Sequence, residues 1–543
     1  MLRPRSLLLR AVQRSFFLHY NADSAAKCST IAMESPSLRI YNSKTKKKEV
    51  FVPKHPGKVG MYVCGLTPYA LAHIGNARVY VVFDVLYRYL RHLGYDVTYV
   101  RNFTDIDDKS NVCCKIISKA NEKGEDPLAL SHRFSEEFHQ DREALQCLPP
   151  THEPRVSDYI EHIKDLINQI IKNGYAYAIG GDVYFSTDEF PNYGLTFGQK
   201  REAKDHADLK KKNKDDFALW KSAKVNEPYW DSPWGAGRPG WHIECSAMST
   251  SYLSSSFDIH GGGMDLQSVH HENEIAQNCA AFCESNVSYW MHINVVRENG
   301  KKISKSELTD GSLTIREIIK SYHPLSLRYY LISAHYRSEA NYSARVLDVA
   351  SDNIFYIFKT LQDCEEAVYH YSSGNLEDLI PDDVQTLITD FRTKFQASMS
   401  DDLKTAPVLK ELLMGLLTIV NTELSKIKEK RQQQSFAPSI SALAKEIKNH
   451  LVILGLMPPA TSSEVVQQLK DKALARAGLT EDQVLEMIEE RQRARLSKQF
   501  SKSDSIRDYL SSLGFALMDE GEGSGWKPSL PSLREPSTFN GHQ

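Results

Sequence analysis

No apolar run in this chain of 543 residues approaches the roughly 18–20 residues needed to cross a bilayer. A positive charge balance is also missing. The formal net charge is −3, so any RNA contact has to come from local basic patches. Nine cysteines, an odd number without regular spacing, exclude a disulfide framework and fit a reducing compartment, with a few left over for metal. Acidic residues are absent before Asp23, where Arg3, Arg5, Arg10 and Arg14 alternate with Leu7-Leu8-Leu9 and Phe16-Phe17-Leu18. That is the composition of an organellar transit peptide. A disordered extension, or upstream sequence skipped by initiation at Met33, reads equally well. Residues 1–32 therefore leave the address between the cytosol, taken as the expectation, and a mitochondrion or plastid.

What is present is globular: 41% hydrophobic and 25% charged residues, in a length that calls for two to four domains. Lys58 to Gly65 reads as a buried strand ending at a glycine turn. A helix follows from about His73 to Leu93, with Val79, Val82, Phe83, Leu86, Leu90 and Leu93 on one face and Gly94 ending it. Asp96 to Thr104 is a second strand. Strand, helix, strand predicts a parallel sheet, with ligands beyond the carboxyl ends of its strands. That places Cys64, Gly65 and Thr104 at one edge, facing His73. Residues 126–178 read as helical, Lys200–Asp216 as a lysine-rich loop or solvated helix, and 345–455 as almost entirely helical. A charged helical tail runs to Leu510, and 528–543 read as disordered.

Several constellations carry chemistry, each beside a plainer reading. His73-Ile74-Gly75-Asn76 opens a helix, where free N–H groups favour phosphate; a capping or core histidine is the alternative. Lys302-Ile303-Ser304-Lys305-Ser306 can close over pyrophosphate, or be an exposed basic loop. Together the two describe a nucleoside-triphosphate site. His270 and Glu274, four apart on a helix, can share a zinc ion or form a solvated pair. Cys64 and Cys245 are candidate soft ligands or buried core thiols. Gly261-Gly262-Gly263 allows close backbone approach, with Asp265 placed to accept from a ribose hydroxyl; an ordinary turn is the alternative. Cys279 and Cys283, on one helix face, read as core, and Cys113-Cys114 as non-functional. Arg491, Arg493, Arg495 and Lys498 form a basic cluster, with Phe500 as a stacking platform, or else a solvated helix face.

Taken in order, Tyr62-Val63-Cys64-Gly65, His73-Ile74-Gly75, Asn102 to Lys109, Gly240 to Met248, His260 to Asp265, His270 to Gln277 and Lys302 to Ser306 resemble the cysteinyl-tRNA synthetases. This is a branch of the class I aminoacyl-tRNA synthetases, and the likeness runs from about Leu38 to Trp526. It is most similar to the compact plant cytosolic form. The resemblance implies a Rossmann-like α/β catalytic domain over 33–340, with an inserted helical segment at about 120–235. A helical tRNA-binding bundle over 341–460 and a small anticodon-recognition region over 461–527 follow. It implies that Cys64, Cys245, His270 and Glu274 bind one zinc, and that Gly65, Thr104, Trp241 and His270 meet the cysteine substrate, with His260 also lining that pocket. His73, Asn76, Lys302 and Lys305 would be catalytic. His73, Asp265 and Lys305 would hold ATP with Mg2+, and Arg495, Phe500 and Asp519 would meet tRNA. The partners implied are cysteine tRNA, L-cysteine and ATP, with no membrane and a monomeric chain. Zinc belongs in such a site because shape alone separates cysteine from serine poorly, whereas a thiolate binds zinc far better than a hydroxyl does.

The chain departs from the family pattern in places. Asn76 stands where a second histidine is usual, and Leu66, Pro68 and Ala70 replace a typical Pro, Val and Asp. Gln267-Ser268-Val269 replaces a segment with a Phe-Pro pair, and Glu307-Leu308-Thr309-Asp310 a Leu-Gly-Asn. Ser110 to Lys115 is inserted, and the Ser-Gly-Arg segment near 195–210 is eroded. All four implied ligands and Lys305 remain, so the expectation is an active ligase. The alternatives are a catalytically impaired paralogue that binds tRNA or zinc, and a ligase joining cysteine to a small amine.

Overall fold

The structure is a computed structural model and describes residues 37–106, 115–191, 193–197, 210–224, 227–303, 313–371, 380–430, 437–520 and 523–532. Its centre is a four-stranded parallel sheet built from β1 (Lys58–Leu66), β2 (Asp96–Phe103), β3 (Ser256–Gly263) and β4 (Asn286–Ile293). The spatial order is β4-β3-β1-β2. Helix α1 (Ile74–His92) links β1 to β2, and α2 (Trp241–Leu253) and α3 (Glu272–Ala281) precede β3 and β4. β1 buries Val59, Met61, Tyr62, Val63, Cys64 and Leu66, the near-continuous burial of a strand covered on both faces. α1 turns Val82, Phe83, Leu86 and Leu90 into the core, with Val79 and Leu93 packed at its margin. Gly94 then ends it at φ +89°. Successive strands leave β1 in opposite directions along the sheet, so the switch point of the topology lies between β1 and β3. A ligand cleft belongs at the carboxyl ends there.

Between β2 and α2 the chain makes a long excursion. Helices Pro127–Ala144 and Ile160–Lys172 are present, but an antiparallel sheet of Ala176–Ile179, Asp182–Phe185, Phe217–Ser222 and Gly237–Pro239 follows. The inserted segment is thus mixed, which corrects the helical expectation for 120–235. Its strands are four, four, six and three residues long, too short to show a clear period of two. The last of them runs directly into α2.

Beyond β4, Val296–Glu298 and Lys301–Lys302 form a hairpin that pairs with Ala340–Tyr342. Helix α4 (Ile315–Ser321) then begins at Thr314, whose hydroxyl accepts from Glu317 N. The segment entering α4 is stitched to the segment entering α1. Ile74 N donates to Leu313 O and Ile315 N to Ala72 O, each at 3.0 Å.

Helices Ala344–Tyr371, Asp382–Ser400, Met414–Lys430 and Ala437–Ile453 occupy the expected helical region. Next come α5 (Ser462–Ala477), Glu481–Leu496 and Phe500–Ser512, and a hairpin of Phe515–Glu520 with Gly523–Pro528. Ala473, Leu474, Val484, Ile488, Ile506, Leu510, Phe515 and Trp526 form a separate apolar cluster there. α5 reaches back to α4. Lys472 Nζ donates to the carbonyls of Ile319 (2.6 Å) and Lys320 (2.8 Å), and Arg476 Nη1 to that of Ser321 (3.0 Å). Residues 529–532, within the stretch expected to be disordered, are held in place, and the rest of that stretch lies outside the described residues. Ser529 N donates to Gly514 O, Ser532 N to Ser511 O, and Arg345 Nη1 to Pro531 O.

Candidate functional site

A cavity of about 280 Å³ opens at the switch point and brings together Cys64, Gly65, His73, Asn76, Asp265 and Lys302. Gly65 is there because β1 and β2 approach too closely for a side chain. A Cβ at Gly65 would lie 1.6 Å from the carbonyl oxygen of Asn102. Its N–H donates to Asn102 Oδ1 at 2.8 Å, while Asn102 Nδ2 donates to Thr104 Oγ1 at 3.2 Å. Thr104 therefore braces the strand end from behind.

His73 is the N-cap of α1. Its Nδ1 accepts from Gly75 N at 3.0 Å, so the neutral ring carries its proton on Nε2. Asn76 Oδ1 accepts from His73 N at 3.3 Å, which completes a capping box. The capping reading of His73 is thus realised, and the residue lines the cavity as well. Lys302 lies on a short strand rather than in a loop, with Nζ 3.5 Å from Asp265 Oδ2 across the cavity. Of the triple glycine, Gly263 lines the cavity, whereas Gly261 admits the Phe83 ring, which a Cβ would meet at 2.1 Å. Lys305, Glu307, Asp310 and Cys113-Cys114 lie outside the described residues.

Beside the cavity, Cys64, Cys245, His270 and Glu274 converge, all buried, with one donor atom from each within 4.8 Å of the others. Cys64 Sγ is 3.8 Å from Cys245 Sγ and 3.5 Å from Glu274 Oε1, and His270 Nε2 is 3.0 Å from the same carboxylate oxygen. A π turn at Gln267–His271 precedes α3 and delivers His270 one helical step from Glu274. His242 Nδ1 faces His270 Nδ1 at 2.9 Å, leaving Nε2 for the cluster. Trp241 stacks on His270, with centroids 4.5 Å apart and an interplanar angle of 19°. Burial drives the Cys64 thiol well up, reinforced by Cys245, while the hydrogen bond with Cys64 draws Cys245 down. Burial opposes charge on His270, but Glu274 and Cys245 outweigh it and raise the imidazole to about 9. Glu274, against burial, is held well below its ordinary range by His260 and His270. Two thiols, an imidazole and a carboxylate in one buried pocket are a donor set that fits zinc.

Other expected residues fall differently. His260 is fully buried behind Glu274, its Nε2 2.8 Å from Oε2; it stacks on Trp290 and is not among the residues that line the cavity. Cys279 and Cys283 are exposed rather than core, and Cys283 lies beyond the end of α3, so they share no helix face. Arg491 is buried and leaves the surface cluster, while Arg493, Arg495 and Phe500 are exposed. Asp519 pairs with Ser524 in the terminal hairpin. Sequence reasoning missed His242, His271, His292 and Asn102. The usable signal was the density of His242, His260, His270, His271 and His292 in one stretch.

The parallel sheet, its switch-point cleft and the helical C-terminal third define a class I aminoacyl-tRNA synthetase. Residues 50–352 match the family described as tRNA synthetases class I (C) catalytic domain. A chloroplastic/mitochondrial cysteine–tRNA ligase of Arabidopsis thaliana is 54% identical over 507 residues, covering 92% of this chain and 88% of that protein. A chloroplastic/mitochondrial cysteine–tRNA ligase of Zea mays is 52% identical over 508 residues, with the same coverage of 92% and 88%. The cytoplasmic cysteine–tRNA ligase 2 of Arabidopsis thaliana is 48% identical over 516 residues, covering 93% and 99%. Methionyl-tRNA synthetase of Mycobacterium tuberculosis in complex with methionyl-adenylate shares the fold, with a TM-score of 0.54 at 14% identity, covering 78% of this chain and 95% of that one. The chain belongs to the cysteine–tRNA ligase family, and so to the ligases that form aminoacyl-tRNA. The expected leaning toward the plant cytosolic form is corrected, since the two organellar relatives exceed the cytoplasmic one in identity.

Proposed function

We propose that this ligase activates L-cysteine with ATP to cysteinyl-adenylate and transfers it to cysteine tRNA, choosing cysteine by its thiol at a zinc held by Cys64, Cys245, His270 and Glu274. The observation that carries the reading is that Cys64 belongs to both places. It is one of the four converging donors and it also lines the cavity. Zinc at these donors supplies a soft Lewis acid that takes a thiolate in preference to a hydroxyl.

The chain's own groups account for the rest. Gly65, backed by Thr104, keeps the strand end flat for the amino acid, and Trp241 holds the His270 ring plane. The positive end of the α1 dipole, with the Nε2–H of His73 and the amide N–H2 of Asn76, favours the phosphates of ATP, whose remaining charge Mg2+ would offset. Lys302 can exchange Asp265 for a phosphate oxygen, which frees the Asp265 carboxylate for a ribose hydroxyl. Lys305 would add a second cation on the leaving pyrophosphate. Fixing the cysteine carboxylate in line with the α-phosphate, and neutralising charge as pyrophosphate leaves, supplies the rate. Arg495, Phe500 and Asp519 would meet the tRNA, one chain serving one tRNA. No described helix is long and apolar enough to cross a membrane.

Asn76 accepts from His73 N through Oδ1 and lines the cavity with an amide that still has N–H groups to donate, so its presence does not weaken the active reading. The impaired-paralogue reading draws on Glu307 and Asp310, whose charges oppose pyrophosphate. Cysteine-dependent ATP–pyrophosphate exchange and aminoacylation of cysteine tRNA by the zinc-loaded chain test the proposal. Cysteine-tRNA binding without exchange would favour the paralogue. For the address, the 48% cytoplasmic relative supports the cytosol, and the 54% relative and the arginine-rich start support an organelle. A fluorescent reporter carrying residues 1–32 distinguishes the two by import.

A further inference from the structure

Glu272 opens α3 two residues before Glu274 and is buried, yet it is no member of the metal cluster. Its carboxylate gathers backbone N–H groups from the inserted segment. Oε1 accepts from Gly194 N at 3.0 Å and Thr196 N at 3.3 Å, and Oε2 accepts from Phe197 N at 2.9 Å. The next residue, Asn273, accepts from the Tyr193 hydroxyl at 2.7 Å. Residues 193–197 are thereby fastened to the first turn of the helix that carries Glu274.

The ring set in place by this clamp is Phe197. It stands edge-on to Trp290 (5.8 Å, 72°) and to His292 (5.4 Å, 81°). Each of these neighbours leads inward to a different donor. Trp290 stacks on His260 at 4.3 Å, and His260 Nε2 is 2.8 Å from Glu274 Oε2. His292 Nε2 is 2.7 Å from His271 Nδ1, and His271 Nε2 is 3.3 Å from Cys64 Sγ. Glu274 and Cys64 are each backed by a histidine, and one phenyl ring closes the outside of both files.

We infer that Glu272 is a positioning residue for the cysteine site: by drawing the 193–197 loop onto α3 it seats Phe197 against Trp290 and His292, and so fixes how Glu274 and Cys64 are presented to the metal and to the thiol substrate. The inference rests on the zinc reading above. A carboxylate is required because three N–H donors converge on one side chain. It offers lone pairs on both oxygens and no donor, whereas an amide in the same place turns an NH2 toward a backbone N–H. Groups that orient metal ligands are known to change metal affinity by roughly 10–100-fold when altered.

The test uses the full-length, zinc-loaded chain with the variants Glu272→Gln and Phe197→Leu. The first readout is the rate of zinc release to a chromogenic chelator, which needs no catalysis. The second is the KM for cysteine and for ATP in pyrophosphate exchange. Both variants are expected to release zinc roughly tenfold faster and to raise the cysteine KM by a similar factor, with the ATP KM unchanged within about twofold. Where Glu272→Gln fails to fold, Phe197→Leu carries the test, since it keeps the apolar volume. Unchanged release and unchanged cysteine KM in a wild type that holds zinc overturn the positioning role alone. Equal shifts in both KM values with a lowered thermal midpoint also overturn it, since they mark a merely structural contact. A wild type that holds no zinc overturns the zinc reading as well.

Discussion

Lys302 Nζ and Asp265 Oδ2 stand 3.5 Å apart across the cavity, one from the hairpin after β4 and the other from the turn after β3. Both side chains are about half exposed, so the pair contributes under about 1 kcal/mol and yields readily to a stronger anion. Lys302→Ala is therefore expected to leave the thermal midpoint unchanged. The ATP KM should rise about tenfold through loss of one charge-assisted contact, with little change for cysteine. Equal KM values for ATP in wild type and variant would remove Lys302 from the phosphate site.

Cys245→Ser removes one soft donor from four. Zinc content, measured by atomic absorption, should fall from about one per chain to a small fraction, and cysteine-dependent exchange should fall with it. Retained zinc and retained cysteine affinity would show that the cluster is not the metal site.

Gly65→Ala would drive a methyl group against the Asn102 carbonyl, 1.6 Å from its Cβ position. The strands must part locally, at an expected cost of about 1–3 kcal/mol in urea unfolding. The cysteine KM should rise because Asn102 and Thr104 move with the strand. A variant as stable as wild type, with an unchanged KM, would mean that the two strands yield freely there.

Acid should loosen the joint between β2 and the insertion. Burial alone would raise the Glu153 carboxyl, but Arg101, His139 and Arg142 outweigh it and hold it far below its ordinary 4.5. A carboxyl depressed in the folded state contributes stability that is present above 4.5 and is lost as pH falls through the folded value. The thermal midpoint should drop more steeply below about pH 4.5 in wild type than in Glu153→Gln. Parallel acid limbs would assign the loss to other carboxyls.

Lys472 and Arg476, one turn apart on α5, cap the carbonyl end of α4, where cations also favour the helix dipole. The double variant Lys472→Ala, Arg476→Ala should lower aminoacylation several-fold while exchange stays near wild type, since α5 leads to the C-terminal cluster and α4 leads to His73. Equal losses in both assays would instead indicate damage to the catalytic half.

The fold was legible wherever its signal was local. β1, α1 and β2 announce themselves by an apolar run, a helical period and a terminating glycine, all within about fifty residues. The short strands from Ala176 to Pro239 were not legible, because strands such as Asp182–Phe185 are too brief to outweigh neighbouring helical patterns. Cys64 and Cys245 lie 181 residues apart, and no periodicity joins such positions; only the family resemblance paired them. His242 and His292 escaped for a different reason. A lone histidine reads as a core residue, and its meaning emerges from the ring or carboxylate it faces.

The parallel sheet is interrupted by an insertion, and this interruption bears on how the protein is made. The four donors are spread from residue 64 to residue 274. A chain that folds as it emerges, amino-terminal part first, holds Cys64 in β1 long before α2 and α3 exist. On the zinc reading proposed above, metal capture is a late event of biogenesis, possible only after more than half the chain has been synthesised. For a copy threaded unfolded into an organelle, the same geometry puts metal loading on the far side of the membrane, so it would draw on the zinc supply of the destination and not on that of the cytosol.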